Sequence, residues 1–150
     1  MIVLSHILAV AAVAFVADRL SKWWVAGTFD LHESRPVLPG IFHLTYVENT
    51  GAAFSLLTEQ TLLLSILSLL VIAGLVWYAP RVRTVRGRYA FGLVLGGASG
   101  NLVDRLHAGA VVDFLDFRVW PVFNLADVAI VCGVLLLAYQ LLTEGETVFR

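Results

Sequence analysis

Apolar residues fill four long stretches of the chain, roughly 3–26, 60–79, 89–107 and 125–142, and polar residues collect between them. Each stretch is close to the roughly 20 residues that a helix needs to cross a hydrocarbon layer about 30 Å thick. The pattern predicts four transmembrane helices. The first stretch lacks the basic start of a secretory leader. It runs into Asp18-Arg19-Leu20-Ser21-Lys22 instead of a small-residue cleavage site, so a retained helix is expected. Arg81, Arg83, Arg86 and Arg88 crowd the short connection between the second and third stretches. Such an arginine excess marks the cytoplasmic side, which puts both termini in the cytoplasm and the 27–59 and 108–124 connections on the opposite face.

Within the 27–59 connection the run from Ile41 to Val47 is β-branched and aromatic, bounded by Pro39-Gly40 before and Asn49-Thr50-Gly51 after. That composition predicts a short strand or hairpin. Trp23 and Trp24 stand just before it, where amphipathic rings favour the membrane interface. The expected fold class is a membrane all-α bundle of four transmembrane helices carrying a small extracytoplasmic β platform, in one domain over residues 1–150.

Composition narrows the partners. With 59% hydrophobic residues, 14% charged residues and a mean hydropathy of +0.87, the solvent is lipid and the length suffices for one bundle. A net charge of −1 and the lack of a basic run interleaved with aromatics argue against nucleic acid. The single cysteine, Cys132, lies in an apolar run and reads as a packing residue, which excludes a disulfide framework. His6, His32, His43 and His107 have no ligand spacing, so neither a metal nor a cofactor is expected.

The candidate chemistry lies in polar residues at membrane depth, where a charge is costly unless it has a partner or a wet cavity. Asp18 and Lys22 share a helix face at i, i+4 and pair either as an interfacial anchor or as part of a site. In "GGASGNLVDR", glycines that allow close helix approach precede Asn101, Asp104 and Arg105, and the last two read as a structural brace. Asn124 and Asp127 stand at i, i+3 on the threshold of the last helix, with Asp113 arriving from the preceding loop. Asp116 reads as an interfacial loop charge. Two carboxylates in a semi-dry pocket share a proton. One can then activate water while the other polarises an amide carbonyl, as in an aspartyl protease. Two other readings stay open on these residues: a small proton-coupled transporter using Asp104 and Asp127 as a relay, and a non-catalytic membrane scaffold.

Five blocks in order, "DRLSK" at 18–22, "NTGAAF" at 49–54, "GGASGNLVDR" at 96–105, "VVDF" at 111–114 and "FNLAD" at 123–127, resemble those of the bacterial lipoprotein signal peptidase (signal peptidase II) family. The resemblance covers almost the whole chain. It implies an intramembrane aspartyl endopeptidase of the inner membrane, monomeric, embedded in membrane lipid. Its substrate would be a prolipoprotein, cut just before a cysteine carrying diacylglycerol. The family's catalytic aspartates fall on Asp113 and Asp127. Asn49, Gly97, Asn101, Asp104, Arg105 and Asn124 match positions that line or brace the site, and Asp18 with Lys22 match a supporting pair. The connection over 114–126 is short for the family and bears on which signal peptides are accepted.

Overall fold

The computed structural model describes residues 2–51 and 60–144. Four helices, α1 (Ile2–Thr28), α2 (Thr61–Tyr78), α3 (Val85–Ala108) and α4 (Leu125–Glu144), carry three strands, β1 (Ser34–Leu38), β2 (Phe42–Asn49) and β3 (Val111–Asp116). The expected strand falls on β2. Residues Ala52–Phe54 of the second sequence block, and the rest of the 27–59 connection from 52 on, lie outside the described residues.

The four apolar stretches are the four helices, but not all are apolar to the same degree. Three are long and apolar enough to cross a membrane, over Val3–Thr28, Thr61–Arg81 and Leu125–Thr143. The third predicted span, α3, is not among them. It packs against α1, α2 and α4. Gly92, Gly96, Gly97, Gly100, Asn101 and Asp104 are all buried along it, whereas α2 buries only Ser65. A helix wrapped by other helices meets protein on most sides and gains little from large apolar side chains. The glycines are required by the packing. A Cβ on Gly97 would overlap the carbonyl oxygen of Ala126 on α4, and one on Gly100 would overlap the Asp18 carboxylate of α1.

Local chemistry sets the end of the bundle that carries the arginines. A 3-10 turn, Ala79–Arg81, follows α2, with Pro80 in its first turn where the missing N–H costs nothing. Thr84 then caps α3: its Oγ1 accepts the Gly87 backbone N–H at 3.0 Å. The same oxygen accepts the Nε2 amide of Gln140 at 3.0 Å, so a buried side chain of α4 ties this corner to the bundle. Because of this cap α3 starts at Val85, a turn before the apolar run that predicted it.

At the opposite end the strands form one antiparallel sheet in the order β1-β2-β3. β3 corrects the expectation that Asp113 and Asp116 lie in a loop: both are strand residues, buried among their neighbours. Its six residues alternate too briefly to signal a strand alone, and the partner is far away in sequence. Val47 faces Asp113 and Asn49 faces Val111 across the β2–β3 ladder, past an irregularity between Leu44 and Val47. Val25 of α1 and Phe29 just after its end pack with Tyr46 of β2 and Phe114 of β3, seating the sheet on the bundle. Pro36 sits in β1, the outer strand, where the ladder does not need its amide.

Candidate functional site

The first turn of α4 organises the site. Asn124 precedes the helix, and its Oδ1 accepts the Asp127 backbone N–H at 2.9 Å; the Asp127 carboxylate in turn accepts the Asn124 backbone N–H at 3.2 Å. This reciprocal pair is a capping box built with Asn and Asp. A third orphan donor of the same turn, the Ala126 N–H, bonds Asp18 Oδ1 of α1 at 2.9 Å. The carboxylate at the start of this helix therefore has a structural role. The side chain of Asp127 also reaches sideways, where Asn101 Nδ2 of α3 donates to its Oδ1 at 2.8 Å.

Asp113 comes to the same place from β3. Asn49 Nδ2, on the neighbouring strand, donates to one of its oxygens at 2.9 Å, and Asn124 Nδ2 donates to the other at 2.6 Å. Asn124 also donates to Asn101 Oδ1 at 3.2 Å, so a single amide links both aspartates through α3. Asp113 is 3% exposed. Burial is the largest influence on its carboxyl and raises it. The amide of Asn49 lowers it, the charge of Asp127 raises it, and Asn124 and Lys22 lower it; the balance pushes it up to about 7 from 3.8.

Behind the asparagines lies a buried charge cluster. The Lys22 ammonium, 1% exposed, stands 2.9 Å from Asp18 and 2.7 Å from Asp104, and donates to Asn101 Oδ1 at 2.9 Å. Arg19, partly exposed on α1, closes the cluster by binding the Asp104 carboxylate. One open reading is decided and one expectation changes. Asp18 and Lys22 are an interior pair, not an interfacial anchor: Asp18 is 0% exposed. The partners that pair with Asp104 are Lys22 and Arg19, not Arg105. Adjacent residues on a helix point to different faces, so Asp104 turns to α1 while Arg105 turns to the cavity. Arg19 is the residue sequence reasoning passed over. It was visible inside "DRLSK", but its partner lies 85 residues on.

The cavity has a volume of about 760 Å³. Asn49, Asn101, Arg105, Asp113 and Asp127 supply its polar floor, α4 adds Val128 and Val131, and the segment after β3 adds aromatic and aliphatic side chains. Cys132 lines it too and is exposed, so it is not a packing residue. A smaller cavity of about 300 Å³ between α2, α3 and α4 shares Asn101, Arg105 and Asp127 with the first. Gly97 contributes no polar group; it brings α4 close enough for Asn101 to reach Asp127. Among the described residues no group of His, Cys, Asp and Glu could hold a metal ion.

An apolar helical bundle whose polar residues converge under a small sheet is the architecture of a membrane enzyme. Two solved bacterial membrane enzymes determined by the in meso method share it: one at 2.3 Å with a TM-score of 0.87 and 28% identity, covering 92% of this chain and 88% of that one, and one at 1.9 Å with a TM-score of 0.83 and 28% identity, covering 92% and 93%. The chain belongs to the signal peptidase II family. The family model described as Signal peptidase (SPase) II matches residues 10–143. The lipoprotein signal peptidase of Moorella thermoacetica is 49% identical over 138 residues, covering 90% of this chain and 91% of its own length. That of Thermosynechococcus vestitus is 46% identical over 140 residues, covering 87% of each. The chain is thus a membrane peptidase, and the transporter and scaffold readings fall away.

Proposed function

We propose that the protein cleaves the signal peptide from prolipoproteins just before a diacylglyceryl cysteine, using Asp113 and Asp127 as an aspartyl dyad. The observation that carries this reading is the convergence of the two carboxylates, from β3 and from the first turn of α4, on one set of asparagine amides. Asp113, buried and pushed up to about 7, holds the shared proton. Asp127, with Asn101, a backbone N–H and a helix N-terminus aimed at it, suits the carboxylate role.

In the reaction Asp127 takes a proton from water as the oxygen bonds to the scissile carbonyl carbon, and the Asp113 proton passes to the carbonyl oxygen. Asp127 then gives its proton to the departing amine as the C–N bond breaks, and the carbonyl re-forms as Asp113 recovers its own. No covalent intermediate forms. Asn49 and Asn124 fix Asp113, Asn101 fixes Asp127, and Arg105 stands at the cavity wall where it can bind substrate carbonyls.

All four helices cross the bacterial inner membrane in this reading, α3 enclosed by the others, with the protein acting as a monomer surrounded by membrane lipid. The arginines of 81–88 support a cytoplasmic location for that end and for both termini, which leaves the sheet and the dyad near the extracytoplasmic face. There the apolar signal segment and the acyl chains stay in lipid while water reaches the bond. The test is incubation of the purified protein in detergent with a synthetic peptide bearing a diacylglyceryl cysteine, with product masses read by mass spectrometry. One cut on the amino side of that cysteine is expected, and an intact peptide would overturn the reading.

The raised Asp113 carboxyl sets a pH dependence. The dyad holds its proton below about pH 7 and loses it above, so kcat/KM is expected to fall by about tenfold per unit on the alkaline side. Stability has the same sign. Between 3.8 and about 7 the folded state holds a proton that the unfolded chain has released, so raising the pH through that window destabilises the fold, by up to about 1.4 kcal/mol per unit. Asp113→Asn removes this slope. Detergent melts of both proteins from pH 5 to 8 check it.

A further inference from the structure

The segment between the two aspartates was expected to be a surface connection with Asp116 as a loop charge, and the structure gives Asp116 different work. Its carboxylate is 5% exposed in β3. One oxygen accepts the Thr45 hydroxyl of β2 at 2.7 Å and the Arg118 guanidinium at 2.9 Å, while the other accepts the Arg118 backbone N–H at 2.8 Å. These donors outweigh burial and leave its carboxyl below the ordinary range. Arg118 is held with φ +64°, a left-handed conformation that costs a non-glycine residue about 1 kcal/mol or more. A carboxylate that accepts both the backbone N–H and the side chain of Arg118 holds it there.

The far end of the segment is pinned as firmly. Phe123 bridges Leu115, its carbonyl accepting the N–H groups of Phe114 and Leu115 at 2.9 and 2.8 Å. Between the two ties Phe117 stacks on Phe123 with centroids 5.9 Å apart and lies 4.9 Å from Phe42 of β2. The result is a closed lobe that presents Phe117, Val119, Trp120 and Val122 to the cavity, across from Val128 and Val131 of α4. Val119 is 91% exposed, so its side chain is not spent on the protein's own packing.

We infer that Asp116 is a positioning residue for peptide selection: with Thr45 and Arg118 it fixes the lobe 117–123 as the apolar wall that sorts substrates by the side chains flanking the scissile bond. The inference rests on the peptidase reading above. An apolar wall discriminates by shape, since each methylene gained or lost in a fitted pocket is worth about tenfold or more in kcat/KM. It does so only if the backbone carrying it is fixed.

The test uses purified wild type, Asp116→Ala, Asp116→Asn and Trp120→Ala against two diacylglyceryl peptides that differ only in having a small or a bulky apolar residue beside the cut. Wild type and Asp113→Asn are run first. Cleavage by the former and none by the latter establishes the dyad independently of Asp116, and absence of wild-type cleavage would sink the peptidase reading itself. Asp116→Ala is expected to raise KM by about tenfold with kcat within about threefold of wild type, and to erase most of the preference between the peptides. Asp116→Asn should recover part of that preference, because its amide oxygen can still accept the Thr45 hydroxyl or the Arg118 N–H. Trp120→Ala alters the wall at a residue that lines the cavity and leaves the Asp116 carboxylate in place, and should shift the preference in the same direction. A loss of kcat equal for both peptides, or an unchanged preference in both Asp116→Ala and Trp120→Ala, would overturn the inference. If Asp116→Ala does not fold, the Asn and Trp120 variants decide.

Discussion

Replacing Asp113 or Asp127 by asparagine is expected to lower cleavage of a diacylglyceryl peptide by about 10⁴-fold, the upper range for the loss of a general acid or base. Either change leaves the dyad unable to hold and pass the single proton the reaction needs. The fold should survive both. At position 127 an asparagine side chain can still accept the Asn124 N–H that closes the helix cap. At position 113 it removes a buried carboxyl that gains nothing from ionising. Initial rates and melts on the same preparations separate chemistry from folding. Turnover near the wild-type rate in either variant would remove that aspartate from the mechanism.

The second large effect is on stability and falls on Lys22. One ammonium serves the Asp18 and Asp104 carboxylates and the Asn101 amide oxygen. Lys22→Met keeps the volume but leaves Asp18 buried beside the first turn of α4 with no cation, and Asp104 with Arg19 alone. Removing one partner from a buried ionic cluster costs about 3–5 kcal/mol, a large share of the stability of a small protein. A depressed melting transition in detergent is expected, together with lost activity, because Asn101 loses the contact that aims its amide at Asp127. Arg105→Ala offers the contrast. Its guanidinium faces the cavity, so it should melt within about 1 kcal/mol of wild type while losing activity. Reversed melts would return Arg105 to the role of a brace.

The parts of this molecule legible in the sequence are those whose physics is local. α1, α2 and α4 follow from apolar length, and Asn124 with Asp127 was visible as an i, i+3 pair on the threshold of α4, though not as the cap it forms. Asp18 and Lys22 were visible as an i, i+4 pair, but their burial was not, because it is created by α3 and α4 arriving more than 70 residues later. β3 was missed for a similar reason: six residues gain strand character only from a partner in another connection. The pairing of Asp104 with Arg105 rested on adjacency, and adjacency on a helix separates side chains by about 100°. Asp116, three positions after Asp113, reads in the sequence as an interfacial loop charge. Its bonds to Thr45 and Arg118 exist only in the fold, so the work it does could not be read from its spacing.

The wrapped position of α3 has a consequence for how the chain is made. An insertion machinery that tests each emerging segment against lipid would accept α1, α2 and α4 on their own hydropathy. On the same test α3, with its glycines, Asn101, Asp104 and Arg105, would partition poorly. In the four-span reading proposed above it enters as a passenger, stabilised by helices already in place: α1 offers Lys22 and Arg19 to Asp104, and the backbone near Ala11 receives Gly96. That reading gives biogenesis an order. The polar residues proposed to frame the cleavage site would then reach the bilayer because earlier segments have prepared a less hostile surface for them.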